Sequence, residues 1–266
     1  MSTNLYSKSD GTKELLDIPE KNKTTVGSSE TMSSMPIIVG YSKIEGNLSP
    51  ALFIIISGGV KREKDYFQII SKNVTGFPRI KIEFIAKNQS GEEGLSPRKM
   101  FEVALKIKED YDKSKDDDIE DNTFLIVDVD LFMSEILEIK PQCEQLNMQL
   151  IISNSCFEIW LYYGEFDLKP ADFKIPRKYA KISSEFKRYL GDKVPGGINP
   201  IKALLKIENA ISNAKLNYEL DENDIPKLFS TNMFILAEQI FELIKDDLDN
   251  WGKSEQKRKE EFIKGK

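Results

Sequence analysis

Histidine is absent from all 266 residues, and cysteine occurs only at Cys143 and Cys156. The first absence removes imidazole catalysis, and with it the Ser-His-Asp and Cys-His nucleophile systems and histidine-ligated zinc or iron. Two cysteines build neither a Cys₄ zinc site nor a disulfide framework. Both are expected as reduced, buried small apolar residues of a cytosolic chain. No apolar run approaches the roughly 18 residues of a bilayer span, so no membrane partner is expected. The start, Met1-Ser-Thr-Asn-Leu-Tyr-Ser-Lys8, lacks a basic-then-apolar signal pattern, which makes the cytoplasm the expected compartment. Basic charge is not in excess either. The net charge of −6 argues against a nonspecific nucleic-acid coat, but leaves room for a local basic patch. Any metal chemistry must therefore rest on carboxylates.

The carboxylates that stand out close the run Thr123-Phe-Leu-Ile-Val-Asp-Val-Asp130. Phe124 to Val127, bounded by polar sequence, reads as a strand buried on both faces. Asp128 and Asp130 then fall at its carboxyl end, where open α/β sheets place their ligands. Residues two apart in a strand share a side, and two close carboxylates repel unless a proton or cation lies between them. Mg²⁺ or Mn²⁺ suits such oxygen ligands. The other reading of the same residues is an acidic strand-to-loop junction.

Around this strand the chain alternates. Residues 1–48 lack sustained periodicity and read as a Ser/Thr-rich flexible arm, with one short strand near Pro36-Ile-Ile-Val39. Ala51-Leu-Phe-Ile-Ile-Ile56 is a central strand, ended by Gly58-Gly59 and followed by a helix over 61–72. Ile80, Ile82 and Phe84 alternate with charges as a half-exposed strand. Ser96-Pro97 reads as an N-cap and first helical proline. A charged loop over 113–122 precedes the strand at 123–128, and a helical stretch broken at Pro141 follows it. Gln149-Leu-Ile-Ile-Ser153 is the fourth strand, and a helix starts near Cys156. Beyond about residue 170 the pattern is helical, over 177–190, 198–216 and 232–248. The expected fold is α/β, with a central, mostly parallel sheet of about four strands and a helical C-terminal extension. The expected divisions are an arm (1–48), an α/β core (49–168), a helical region packed on it (169–250) and a charged tail (251–266).

Three segments together resemble the RloB-like protein family. Ser57-Gly-Gly-Val-Lys-Arg-Glu-Lys-Asp-Tyr-Phe67 is a divergent form of the family's Glu-Gly-x-x-Thr-Glu-Pro-x-Tyr-Phe signature. Asp128-Val-Asp130 fits its second motif. Ser153-Asn-Ser-Cys-Phe-Glu-Ile-Trp-Leu161 is close to Ser-Asn-Pro-Cys-Phe-Glu-x-Trp-Leu. Ile207-Glu-Asn-Ala-Ile-Ser-Asn-Ala-Lys215 and Ser230-Thr231 are similar to its helical C-terminal part. The resemblance spans roughly residues 51–245. It implies a Rossmann-like Toprim-type domain, a setting in restriction and phage defence, and Mg²⁺- or Mn²⁺-dependent cleavage of nucleic-acid phosphodiesters. The implied partners are nucleic acid, DNA or RNA with tRNA among the candidates, and an ATPase or restriction-system protein. Self-association is left open.

On that resemblance Glu63, Asp128, Asp130 and Glu158 are the expected catalytic acids, with Asp128, Asp130 and Glu63 as metal ligands. Lys61, Arg62 and Asn154 are the expected substrate contacts. Each has a structural alternative: Glu63 and Glu158 as first-turn helix acids, Asn154 as a helix cap. Phe157 and Trp160, three apart, read as core. Lys174, Arg177, Lys178, Lys181, Lys187 and Arg188 are either a nucleic-acid groove or a solvated helix face. The departures are also specific. A Toprim domain usually carries a glutamate at the end of its first strand, and spacing back from Tyr66-Phe67 puts Gly58 there. The family's histidine after the Trp-Leu helix start falls near Gly164, and the proline of its third motif is Ser155. The rival reading is therefore a non-catalytic Toprim-like module that binds nucleic acid or a partner protein. Haloacid-dehalogenase-type phosphatases and metal-dependent glycosyltransferases share a strand ending in Asp-x-Asp, but neither pattern accounts for Ser153–Leu161.

Overall fold

The computed structural model describes residues 50–72, 76–114, 122–130, 132–194 and 197–264. The expected arm over 1–48, its short strand near 36–39 and most of the charged loop over 113–122 lie outside the described residues. The apolar runs form β1 (Ala51–Ser57), β2 (Ile80–Ile85), β3 (Asn122–Asp128) and β4 (Gln149–Asn154). All four are parallel, and a two-residue strand, β5 (Ser230–Thr231), adds antiparallel to β4. The order is β2-β1-β3-β4-β5. Helices α1 (Arg62–Lys72), α2 (Pro97–Ser114), α3 (Met133–Gln145) and α4 (Glu158–Glu165) occupy the crossovers and the exit from β4. Then come α5 (Ile182–Lys193), α6 (Pro200–Ala203), α7 (Ile207–Leu216) and α8 (Phe234–Lys264).

Period-two alternation sends neighbouring strand residues into separate cores. Phe53, Ile55, Phe124, Ile126 and Ile151 pack with Tyr66, Trp160, Ile207 and Leu236 on one face. Leu52, Ile54, Ile56, Leu125, Val127 and Ile152 pack with Met100, Phe101, Ile136 and Ile139 on the other. Asp128 continues the parity of Phe124 and Ile126, so its side chain belongs to the α1 and α4 face. The chain leaves β1 toward β2 on one side and returns to β3 on the other. The gap between the carboxyl ends of β1 and β3 is thus the point where strand order reverses, the usual ligand crevice of such a sheet.

Several elements depart from expectation, each for a physical reason. Pro141 does not break α3, which runs through it. Pro141 is exposed and Leu137, whose carbonyl loses its donor, is 39% exposed, so water can replace that bond. The single helix expected over 198–216 is three pieces: α6, a 3₁₀ turn over 204–206, and α7. Asn199 caps the first piece, accepting from the Ile201 and Lys202 N–H groups at 3.0 and 3.3 Å. Helix α8 extends to Lys264, through the charged segment expected as a tail. At α2, Glu135 of α3 accepts the Arg98 N–H at 3.1 Å and also bonds Ser96, a cap delivered from a neighbouring helix. The region after residue 169 is not purely helical, because it returns β5 to the sheet.

Beside β5, Asn232 substitutes for strand backbone. Its Oδ1 accepts the Ile152 N–H at 2.5 Å and its Nδ2 donates to the Leu150 carbonyl at 3.0 Å. Asn232→Ala strips partners from both β4 groups and should cost about 2 kcal/mol, read as a lower urea midpoint at unchanged slope. Full retention of the midpoint would refute this.

Candidate functional site

Every acid expected at the site is carried to the same sheet end, though by different routes. Below it lies an aromatic knot: Tyr66 of α1 meets Phe157 and Trp160 edge-on, with ring centroids 5.8 and 6.3 Å apart. Phe157 and Trp160 are each 1% exposed, which makes them core. Such pairs favour one mutual orientation of the elements that carry them. Glu63 lies one turn before Tyr66 and Glu158 one residue after Phe157, so the knot positions both.

Glu63 is buried, and its carboxylate folds back over the β1–α1 loop, where a Cβ on Gly59 would overlap it. A side chain at Gly59 would therefore displace the Glu63 carboxylate from this pose, and the Gly59 N–H donates to Ser57 Oγ at 3.1 Å. Burial raises the Glu63 pKa above the ordinary carboxylate range, Glu158 adds to this, and the local backbone, Lys187 and Arg62 oppose it. Gly58 makes a different close approach. A Cβ there would lie 2.6 Å from the Leu95 carbonyl oxygen.

β3 ends at Asp128, and the chain turns at once. Val129 N–H donates to the Ser153 carbonyl at 3.0 Å and Asp130 N–H to the Ser155 carbonyl at 3.3 Å. Asp130 adopts φ 22°, a region disfavoured for a residue with a Cβ. The two aspartates therefore share the loop end, not a strand face. Each has one carboxylate oxygen, Oδ1, shut off from solvent with no hydrogen-bond partner. Burial holds the Asp128 carboxyl well above its usual range, with Glu63 and Glu158 contributing, Lys187 opposing and Asp130 adding the least.

Glu158 is buried between cations. Arg62 Nε stands 3.9 Å from Oε1 and Lys187 Nζ, from α5, 3.6 Å from Oε2. Lys187 is desolvated, yet Glu158, Cys156, Asp128 and Glu63 outweigh that and raise its pKa. It stays charged and faces the acids. Cys156 is fully buried, and burial with Glu158 and Asp128 pushes its thiol well up, so it is no thiolate nucleophile.

The three expected substrate contacts separate. Lys61 is exposed. Arg62 is anchored, donating to the Ile198 carbonyl at 3.0 Å. Asn154 has both ends occupied: Nδ2 donates to the Pro226 carbonyl at 2.8 Å and Oδ1 accepts from Tyr179 Oη at 2.9 Å. It does not cap α4, which has no side-chain cap. Lys187 is the residue that sequence reasoning left inside a general basic group. Its helical spacing from Ser183 and Tyr179 was visible, but nothing local tied it to Glu158.

The donors fit a hard cation in one sense only. Asp128 and Asp130 offer unpaired oxygens, whereas Glu158 is engaged by Arg62 and Lys187. Among the described residues no three acidic, cysteine or histidine side chains form a ready-made cage. Mg²⁺ commonly binds through one or two carboxylates and completes its shell with water and substrate phosphate, and this donor set suits that mode. No helix among the described residues is long and apolar enough to cross a membrane. A family model described as RloB-like protein matches residues 53–240. No curated protein and no solved structure matches the chain.

Proposed function

Because the chain belongs to the RloB-like protein family, we propose that it is a nucleic-acid phosphodiesterase of Toprim type, working with Mg²⁺ or Mn²⁺ at Asp128 and Asp130. The observation that carries this reading is the pair of buried, unpartnered Oδ1 atoms just past the carboxyl end of β3, the strand that borders the crevice where the sheet reverses. Unpaired buried carboxylate oxygens are costly unless a cation or donor arrives. A cation held there would polarise a phosphodiester oxygen and lower the pKa of a water molecule. Glu63, whose pKa burial raises, is the acid of the cluster placed to exchange a proton with a bound water or leaving oxygen. Glu158 acts by position, keeping Lys187 and Arg62 turned toward the acids. A role in phage defence, with an ATPase or restriction-system partner, rests on the family alone.

A second reading, a catalytically silent module that binds nucleic acid, is favoured by one observation. Gly58 replaces the acid usual at the first strand end, and the backbone around it leaves no room for any side chain. Labelled DNA and RNA incubated with the purified protein in Mn²⁺ decide between the two. Cleavage is expected in Mn²⁺, to vanish in EDTA and to fall at least roughly 100-fold in Asp130→Asn. Binding without cleavage in Mn²⁺ would establish the silent module.

A further inference from the structure

Helix α5 turns one stripe, Ile182, Phe186 and Leu190, into the core. One residue on, Ser183 and Lys187 stand one turn apart on the adjacent face, in a segment that begins with Tyr179 in the 3₁₀ turn over 179–181. Contacts fix both of its ends. Tyr179 Oη donates to Asn154 Oδ1, and Lys187 Nζ faces Glu158. Ser183 lies between these two anchors along the chain, one turn before Lys187 and on the same face of α5.

Ser183 is 5% exposed, and its hydroxyl has no hydrogen-bond partner. Helical serines ordinarily return the hydroxyl to a carbonyl one turn back, as Ser184 does with the Lys181 carbonyl at 3.0 Å. Ser183 keeps its donor free at a cost in stability. Lys187, one turn on, brings its ammonium to the same side of α5, 3.6 Å from Glu158 Oε2.

We infer that Ser183 and Lys187 form the phosphate-binding wall of the site, seating a phosphodiester oxygen between themselves and the acids across the crevice. The hydroxyl gives a directed hydrogen bond, the ammonium a charge, and Tyr179, in the turn before α5, ties the start of the segment to Asn154. This rests on the reading that the ligand is a nucleic-acid phosphodiester, but not on its being cleaved.

Fluorescence anisotropy with short labelled single-stranded DNA and RNA, in EDTA and in Mn²⁺, tests it on the parent and on Ser183→Ala. The variant is expected to bind about 5- to 10-fold more weakly, one directed hydrogen bond, while its melting temperature holds or rises. The better-bound strand names the substrate class. Affinity unchanged within about twofold would overturn the inference, as would a parent that binds neither strand. Lower stability at unchanged affinity would mark Ser183 as structural and overturn it equally. A protein that never cleaves, yet loses affinity in Ser183→Ala, drops the catalytic reading alone.

Discussion

With asparagine in place of Asp128, Mn²⁺-dependent cleavage should fall roughly 100-fold or more, while the metal-free protein melts higher than its parent. The two effects have one cause. Asp128 is half-buried, with Oδ1 shut off from solvent and Glu63, Glu158 and Asp130 nearby, opposed mainly by Lys187, so its ionised form costs folding free energy. Removing that charge should return about 1 kcal/mol or more, a rise of roughly 2–4 °C for a chain of this size. The sign of the pH dependence follows. An acid whose folded pKa is raised binds more protons in the folded state over the window between the unfolded value, near 3.9, and the higher folded one. Its favourable contribution is complete below the unfolded pKa and is lost as pH rises through the folded pKa. The advantage of Asp128→Asn should therefore be largest at neutral pH and shrink toward about pH 4. The difference between the two proteins is the proper readout. Absolute stability also carries acids such as Glu135 and Glu138, whose pKa values are lowered and whose pH dependence runs the other way. A variant that melts lower than the parent at neutral pH would contradict this account of the cluster.

Gly58→Glu, the substitution that would restore the acid usual in Toprim domains, should damage the protein and leave activity no higher. The Cβ itself would come within 2.6 Å of the Leu95 carbonyl oxygen, a backbone atom that cannot swing aside as a side-chain tip can. Overpacking of this kind costs roughly 3 kcal/mol at the upper end, a drop of about 6–12 °C in melting temperature. Gly58→Ala is the control, since it adds the Cβ without charge and should lose nearly as much. A Gly58→Glu protein with parental stability and faster Mn²⁺-dependent cleavage would show that the loop opens readily, and that the missing acid had limited the reaction.

What the sequence disclosed was whatever short-range pattern controls. The β-branched runs of β1, β3 and β4 announced themselves, because a strand covered on both faces must be apolar at every position. Asp128 was legible because a charge that closes such a run can only stand at the sheet end. Glu63 and Glu158 were legible through the motifs that contain them, not through burial, which no helical periodicity predicts for a first-turn acid. β5 escaped because Ser230-Thr231 carries no apolar signal. It exists through bonds to β4, including Ser153 Oγ to Thr231 Oγ1 at 2.8 Å. Pro141 misled because helix breaking presumes that the orphaned carbonyl cannot find water. The roles of Gly58, Gly59, Ser183 and Lys187 all depend on atoms far along the chain, and a linear pattern has no access to those.

The ion pair between Lys187 and Glu158 also makes α5 a clasp whose hold depends on what lies beneath it. Lifting the helix would remove the one lysine that opposes mutual repulsion among Glu63, Asp128 and Glu158. With Lys187 48% exposed at its side chain, added salt screens that attraction and loosens the clasp. Cations that settle among the acids would weaken its grip from below. Ionic strength thus sets the strength of this electrostatic tie, while Ile182, Phe186 and Leu190 keep α5 seated in the core.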